Sequence, residues 1–418
     1  MQNKKTKKQD KSVLRGAPEL TAPAGGWCAL RSAIDSGADS VYFGVKGLNM
    51  RQGAENFDIL EIKKIIKFLH DNKKKGYLAL NVIIYNSEIK RVTTILKAAA
   101  KAKVDGVILW DMAAFSIARK LRLNIHISTQ ASVSNFEAFK YYAKSGAKRI
   151  VMARECSLAD IKRVAEQAKA HRLKCDIECF VHGAMCVSIS GRCFLSHQAF
   201  GKSANRGECL QPCRRVFNIE DVEKETRYRL GSDYILSPKD LCTIGFLDKM
   251  IETGIKAFKI EGRNRPPEYV SEACLCYREA IDAYYNKRLN TGLKNALIKR
   301  LGNSYNRGFE NGFYLGTPDT LGGKVEKNYE KTYIGEVQKF YNKISVAEIL
   351  IRKGPLNIGD SILITGKRIP ATRCVVEEIQ PEHNPIQSAQ KGMRVGIKLP
   401  LKVYPNDKVF LYSDKGVR

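Results

Sequence analysis

KRIVMARECSLADIKRVAEQAKAHRLKCDIECF, residues 148–180, carries the pattern from which the fold follows. A short apolar run, KRIVMA (148–153), passes through a polar turn into Ser157–His171, whose apolar residues recur at helical spacing. A second short run, CDIECF (175–180), comes straight after it. Strand, helix and strand in that order imply two parallel strands joined by a right-handed crossover.

The same rhythm extends both ways. Short runs recur as LTAPA (20–24), SVYFG (40–44), YLALNVII (77–84), GVILW (106–110), NIHIS (124–128) and AFKIEG (257–262), with helical segments such as Ile59–Asn72 between most of them. Eight units before residue 290 fit a (β/α)8 TIM-like barrel, which needs about 250 residues. An open doubly wound sheet is the alternative, but no glycine-rich dinucleotide fingerprint follows the first strand. In such a barrel the reactive groups sit where strands end and loops begin. The polar residues there are Asn81, His126, Gln130, Arg154, Glu178, His182, Glu261 and Arg263. Of these, Glu178, His182, Glu261, Arg263, Arg154 and Gln130 form the expected catalytic set. A carboxylate or imidazole would act as base, and Arg154 or Arg263 would clamp a carboxylate-bearing small molecule through a bidentate pair. The bland alternatives are interior carboxylates paired with Arg263 or Arg154, and a core histidine at His126, flanked by Ile125 and Ile127.

The loop after the seventh strand is the second feature. Cys186, Cys193, Cys209 and Cys213 are spaced C-x6-C-x15-C-x3-C among glycines and serines. A loop this long persists in a compact domain when something pins it. Soft thiolates select zinc, copper(I) or an iron–sulfur cluster. Only Cys209 and Cys213 form a short knuckle, whereas a cluster accepts scattered ligands because its irons are separated in space. The expected centre is an iron–sulfur cluster of the 4Fe-4S kind, with its nuclearity left open by the spacing and Cys242 as the rival ligand. The remaining cysteines sit among apolar neighbours and read as buried thiols.

Residues 1–17 read as a disordered basic tail, 18–290 as the barrel with the cluster loop at 183–245, and 291–330 as a bridge. From residue 331 six short runs (TYIGEVQKF, KISVAEIL, DSILITG, CVVEEIQ, RVGIKL and DKVFLY) read as a small antiparallel β-barrel. The 418 residues include 71 Lys plus Arg against 43 Asp plus Glu, a formal charge of +28. That surplus points to a polyanionic partner, nucleic acid in the first instance, or else to solvated lysine-rich helix faces. No apolar run reaches bilayer-spanning length and no secretory pattern opens the chain, so a cytoplasmic protein with no membrane partner is expected. Reduced thiols belong to that compartment. Neither a G-x-S-x-G elbow nor an H-E-x-x-H motif is present.

E-x-F-x-H-G-A-M-C-x-S-x-S-G-R-C-F-L-S (178–196) and N-R-G-E-C-L-Q-P-C-R-R (205–215) together resemble the diagnostic motif of peptidase family U32, the collagenase-like proteins. Further stretches are similar too: LTAPAG (20–25), GADSVYFG (37–44), ISTQASVSN (127–135), KIEGR (259–263) and YNRGF (305–309). Within the family the chain is most similar to the branch that hydroxylates RNA bases. The resemblance implies oxygen-independent hydroxylation of tRNA wobble uridine to 5-hydroxyuridine, with prephenate, a dicarboxylate, as co-substrate and oxygen source. It leaves room for a partner subunit of the same family. The alternatives it carries are a peptidase, with a cysteine nucleophile beside His182 or His197, and an rRNA cytidine hydroxylase.

Overall fold

The computed structural model describes residues 16–215, 217–223, 226–230, 237–318, 329–381 and 384–414. Eight parallel strands form its larger unit: β1 (Glu19–Ala24), β2 (Ser40–Gly44), β3 (Lys75–Ala79), β4 (Gly106–Leu109), β5 (Ile125–Ile127), β6 (Ala147–Val151), β7 (Asp176–Ala184) and β8 (Ala257–Ile260). Each pairs with the next, and β8 pairs with both β7 and β1, which closes the barrel. The helices lie between them: α1 (Trp27–Asp35), α2 (Ile62–Asp71), α3 (Ile89–Ala102), α4 (Met112–Lys120), α5 (Phe136–Lys144), α6 (Leu158–Ala170), α7 (Leu247–Glu252) and α8 (Pro267–Tyr285).

Local chemistry sets the helix limits. Ser157 caps α6, its hydroxyl accepting from the Asp160 N–H at 3.1 Å, and the helix ends at His171. Ahead of α2, Asp58 and Glu61 form a reciprocal capping box around a 3₁₀ turn. Burial of strand residues on both faces explains their unbroken apolar runs, because the helices cover the outside while side chains fill the inside.

Charge fills the amino-terminal end of the interior. Glu19 takes Arg149 at 2.9 Å, Lys75 at 2.8 Å and the Tyr77 hydroxyl at 2.6 Å. Arg149 also approaches Glu178 at 3.7 Å, and Lys259 donates to Glu178 at 2.8 Å. Burial disfavours the Glu19 carboxylate, but Arg149 and Lys75 outweigh it and hold its pKa far below the usual range.

After β7 the chain does not run free. Asp240–Cys242 pairs antiparallel with Gly183 and its neighbours, and Phe309–Glu310 pairs in turn with Asp240 and Leu241. Of the stretch 291–330 read from sequence as a bridge, the described residues 291–318 lie against the barrel. The helix Thr291–Gly302 buries Leu297 and Leu301 in the barrel core, and the Tyr314 hydroxyl donates to the Phe180 carbonyl at 2.6 Å. The tail at residues 1–15 lies outside the described residues.

The carboxyl-terminal unit is a six-stranded antiparallel sheet with its own core. Its strands are Tyr329–Tyr341, Val346–Ile351, Ser361–Gly366, Ile369–Val375, Arg394–Lys398 and Lys408–Asp414. The fourth falls earlier than CVVEEIQ because a tight turn pairs Gly366 with Ile369. The unit docks through Lys331 on Glu268 at 2.6 Å and the Ala371 N–H on the Ser32 hydroxyl at 2.9 Å. Among the described residues no helix is long and apolar enough to cross a membrane.

Removing one partner from a buried ion pair leaves the other charge uncompensated, which costs about 3–5 kcal/mol. Glu178→Gln should therefore lower the urea midpoint steeply. The double variant Glu178→Gln/Lys259→Met should recover part of the loss, and strict additivity of the two changes would contradict the pairing.

Candidate active site at the barrel mouth

At the carboxyl ends of the strands, the loop after β7 folds over the barrel and encloses a cavity of about 560 Å³. Cys186, Cys193, Cys209 and Cys213 all line it, together with Arg51, Gln130, Arg154, Glu261 and Arg265. All four cysteines are free. Three sulfurs accept a backbone N–H from two residues on: Cys186 from Ser188 (3.5 Å), Cys193 from Leu195 (3.3 Å) and Cys209 from Gln211 (3.3 Å). Among the described residues no three histidine, cysteine or acidic side chains are grouped as for a single metal ion.

The loop is stapled in place. Arg206 pairs with Glu88, the Arg214 guanidinium donates to the Met185 carbonyl at 2.7 Å, and the Ser190 N–H donates to Glu155 at 2.9 Å. The Asn205 side chain accepts from the Cys193 N–H at 3.2 Å, and Gln52 donates to the Arg206 carbonyl at 2.6 Å. Gly207 lies at φ +83°, and a Cβ there would stand 2.0 Å from the Asn49 carbonyl oxygen. Only glycine fits where the two loops touch.

Glu261, just past β8, is the electrostatic hub. It takes Arg51 at 3.0 Å and Arg154 at 3.8 Å. Burial alone would raise its pKa, but the charges of Arg51, Arg154 and Arg263 outweigh it and keep the carboxyl below its ordinary range. The Arg154 guanidinium lies 4.0 Å over the Phe180 ring and donates to the Ala184 carbonyl at 2.6 Å. Gln130 Oε1 accepts from Asn81 at 3.0 Å and from the Ser128 hydroxyl, which leaves its amide N–H₂ for a ligand. Five basic side chains (Arg51, Arg154, Lys202, Arg214 and Arg265) face the cavity against two carboxylates, Glu208 and Glu261.

The structure brings the four cysteines, Gln130, Arg154 and Glu261 together, sets Arg263 beside Gln130, Arg154 and Glu261 in an adjoining inner cavity, and separates Glu178 and His182 from them. Glu178 is fully buried among Lys259 and Arg149, a layer below the mouth, so its partners are neither Arg154 nor Arg263. Arg263 lines only a narrow inner cavity and donates to Asn49 at 3.0 Å. His182 is turned outward. A register shift where β7 meets β8 pairs it with Ile260, and its ring packs among Tyr269, Tyr277 and Phe309. A bulge of this kind reverses which face a side chain occupies. His126 is a core histidine, 4.6 Å from the Tyr77 ring, and burial pushes its pKa well down. Cys242 is buried away from the cavity, its sulfur 4.0 Å from the Tyr277 hydroxyl. Arg51 escaped the sequence reading. Its signal was a polar, glycine-bearing loop, LNMRQG (48–53), directly after a barrel strand.

A closed (β/α)8 barrel with a four-cysteine loop folded over an arginine-rich mouth is the architecture of a barrel enzyme with a cysteine-lined cavity at the ends of its strands. The family model of peptidase family U32 matches residues 25–323, and the chain belongs to that family. It is 38% identical over 411 residues to a collagenase of Porphyromonas gingivalis, covering 95% of this chain and 98% of that one. It is 32% identical to tRNA hydroxylation protein P1 of Bacillus subtilis, covering 95% of each. It is also 30% identical to the 23S rRNA 5-hydroxycytidine C2501 synthase of Escherichia coli, over 81% of this chain and 52% of that protein.

Burial pushes the His182 pKa down to about 3, with the Arg265 charge adding to the effect. A depressed folded pKa contributes stability above the unfolded value near 6.5, and that contribution fades as pH falls. Stability should therefore decline from pH 6.5 to about 5, above the range where carboxylates titrate. Urea melts of His182→Phe should show a shallower slope there; an unchanged slope would mean that His182 titrates normally in the fold.

Proposed function

We propose that the protein hydroxylates a pyrimidine base of RNA without molecular oxygen, with tRNA wobble uridine as substrate and 5-hydroxyuridine as product. The observation that carries this reading is that four cysteines converge on the cavity that Arg51, Arg154, Gln130 and Glu261 also enter. Two relatives are named for hydroxylating tRNA and rRNA, and the +28 charge suits a polyanionic substrate.

The residues fit an iron–sulfur cluster better than a single ion. All four cysteines line one cavity, and a cluster binds each thiolate through a different iron. Cys186, Cys193, Cys209 and Cys213 would hold a 4Fe-4S cluster, and the basic side chains would offset its thiolate charge. When bound, the cluster supplies electron transfer beside the substrate.

The protein's own groups would do the rest. Arg51 and Arg154 would clamp the two carboxylates of prephenate, whose hydroxyl is the oxygen source in this reading. Both guanidiniums rest on Glu261 in the free protein, so engaging a dicarboxylate would draw positive charge away from it. Its carboxylate would then gain proton affinity and could take the proton leaving the base carbon and pass it to the prephenate carbon that gives up the hydroxyl. The base carbon would lose the two electrons that this carbon gains, so that the C–H and C–OH bonds exchange partners. Gln130 would donate its amide N–H to a base carbonyl. The loop over the mouth would exclude water.

The family name and the collagenase relative favour a second reading, proteolysis. A cysteine nucleophile needs a base beside it. Among the described residues no histidine lines the cavity, and His182 faces the helix layer.

Protein purified anaerobically should be brown, with a broad thiolate-to-iron absorbance. Ser at Cys186, Cys193, Cys209 or Cys213 should bleach it, whereas Cys242→Ser and Cys276→Ser should not; stoichiometric zinc without iron or sulfide would end the cluster reading. Nucleoside mass spectrometry of tRNA and rRNA from a deletion strain should show 5-hydroxyuridine missing from tRNA. Loss of an rRNA hydroxycytidine would move the substrate, and intact RNA with lost cleavage of collagen peptides would favour proteolysis. Arg51→Lys should keep the fold and colour yet lower the modification at limiting prephenate, because lysine cannot form the bidentate pair.

A further inference from the structure

Exposed apolar side chains concentrate on the cysteine loop. Ile189, Phe194, Leu195, Phe200 and Leu210 all face solvent, with Phe194 75% exposed. Clustered exposed apolar groups mark a surface that something covers. Four of these groups border the cavity: Leu195 and Leu210 line it, Phe194 stands between lining residues Cys193 and Leu195, and Ile189 precedes lining residue Ser190. Cations are set among them. The Arg215 guanidinium lies 4.4 Å over the Phe200 ring, and that of Arg206 lies 4.8 Å over Tyr85, itself 55% exposed. Arg206 is in turn tied to Glu88, so the Tyr85–Arg206 stack is held in place. Arg192 and Lys202 are exposed on the same loop.

Flat rings alternating with cations are the chemistry of single-stranded nucleic-acid binding. Unpaired bases stack on aromatic and guanidinium planes, while phosphates meet the charges. A duplex cannot use such a surface, because its bases are already stacked on one another. We propose that this rim is a stacking platform for the unpaired nucleotides of an RNA loop, built on Tyr85, Phe194 and Phe200. Neighbouring bases held there would leave one base free to swing into the cavity, as chemistry on a base requires. The platform rests on the RNA reading above and narrows it to single-stranded loops.

The test uses the full-length protein purified anaerobically, a fluorescein-labelled RNA stem–loop and a fully paired duplex of the same composition. By fluorescence anisotropy at constant salt, the stem–loop binds more tightly than the duplex. Phe194→Ala and Tyr85→Ala each weaken stem–loop binding roughly five- to hundredfold, with duplex affinity and thermal melting unchanged. Leu60→Ala, 86% exposed on the outer helix layer, changes neither. Variants that bind the stem–loop like wild type, or a wild type that holds loop and duplex equally, overturn the platform while the RNA reading stands. A wild type that binds neither RNA overturns both. Wild type that self-associates, with Phe194→Ala monomeric and unchanged in RNA affinity, assigns the rim to a second copy and also overturns the proposal.

Discussion

Charge buried along the barrel axis must be balanced residue by residue, and the rest of the molecule follows from how that is done. At the amino-terminal end Glu19, Arg149, Glu178 and Lys259 neutralise one another out of water. At the mouth Glu261 faces Arg51 and Arg154. The Phe180 ring stands between these layers, with Arg154 4.0 Å and Lys259 5.8 Å from its centre. The lower layer is closed on itself and structural. The upper layer is open to the cavity and carries positive charge beyond what its carboxylates absorb. A ligand rich in carboxylate or phosphate can therefore compete for the upper layer without disturbing the lower one.

Much of this was legible in the sequence, for identifiable reasons. The barrel was readable because parallel strands buried on both faces leave uninterrupted apolar runs, and helix limits such as Ser157 and His171 because caps are local chemistry. The convergence of the four cysteines was suggested by spacing within one loop. The partners of Glu178 were out of reach, since Lys259 and Arg149 come from strands distant in the chain and meet it only once the barrel closes. The outward packing of His182 was out of reach too, because nothing in the sequence of β7 marks the bulge that turns it. Arg51 was missed because its loop has no motif, only position.

The family's name and the site's chemistry point in different directions. A protease needs a nucleophile with a base at hand or a water-activating metal, and the described residues around this cavity hold four cysteines, five basic side chains and the carboxylates of Glu208 and Glu261. Function lives in such groups, and neither the barrel nor the label carried by homologous chains decides it.

Strand β7 overruns the barrel, and its last residues pair with Asp240–Cys242. Ala184 and Asp240 are register partners, so the sheet itself joins the two ends of the intervening segment, residues 185–239. The entropy of closing so long a loop is met by the ladder and scarcely grows with added length. The segment is in effect an exchangeable insert seated on a finished socket. Descendants of such a chain can lengthen it, rebuild its rim or discard its thiolates while the barrel beneath keeps every strand pair, which leaves one scaffold open to divergent chemistries.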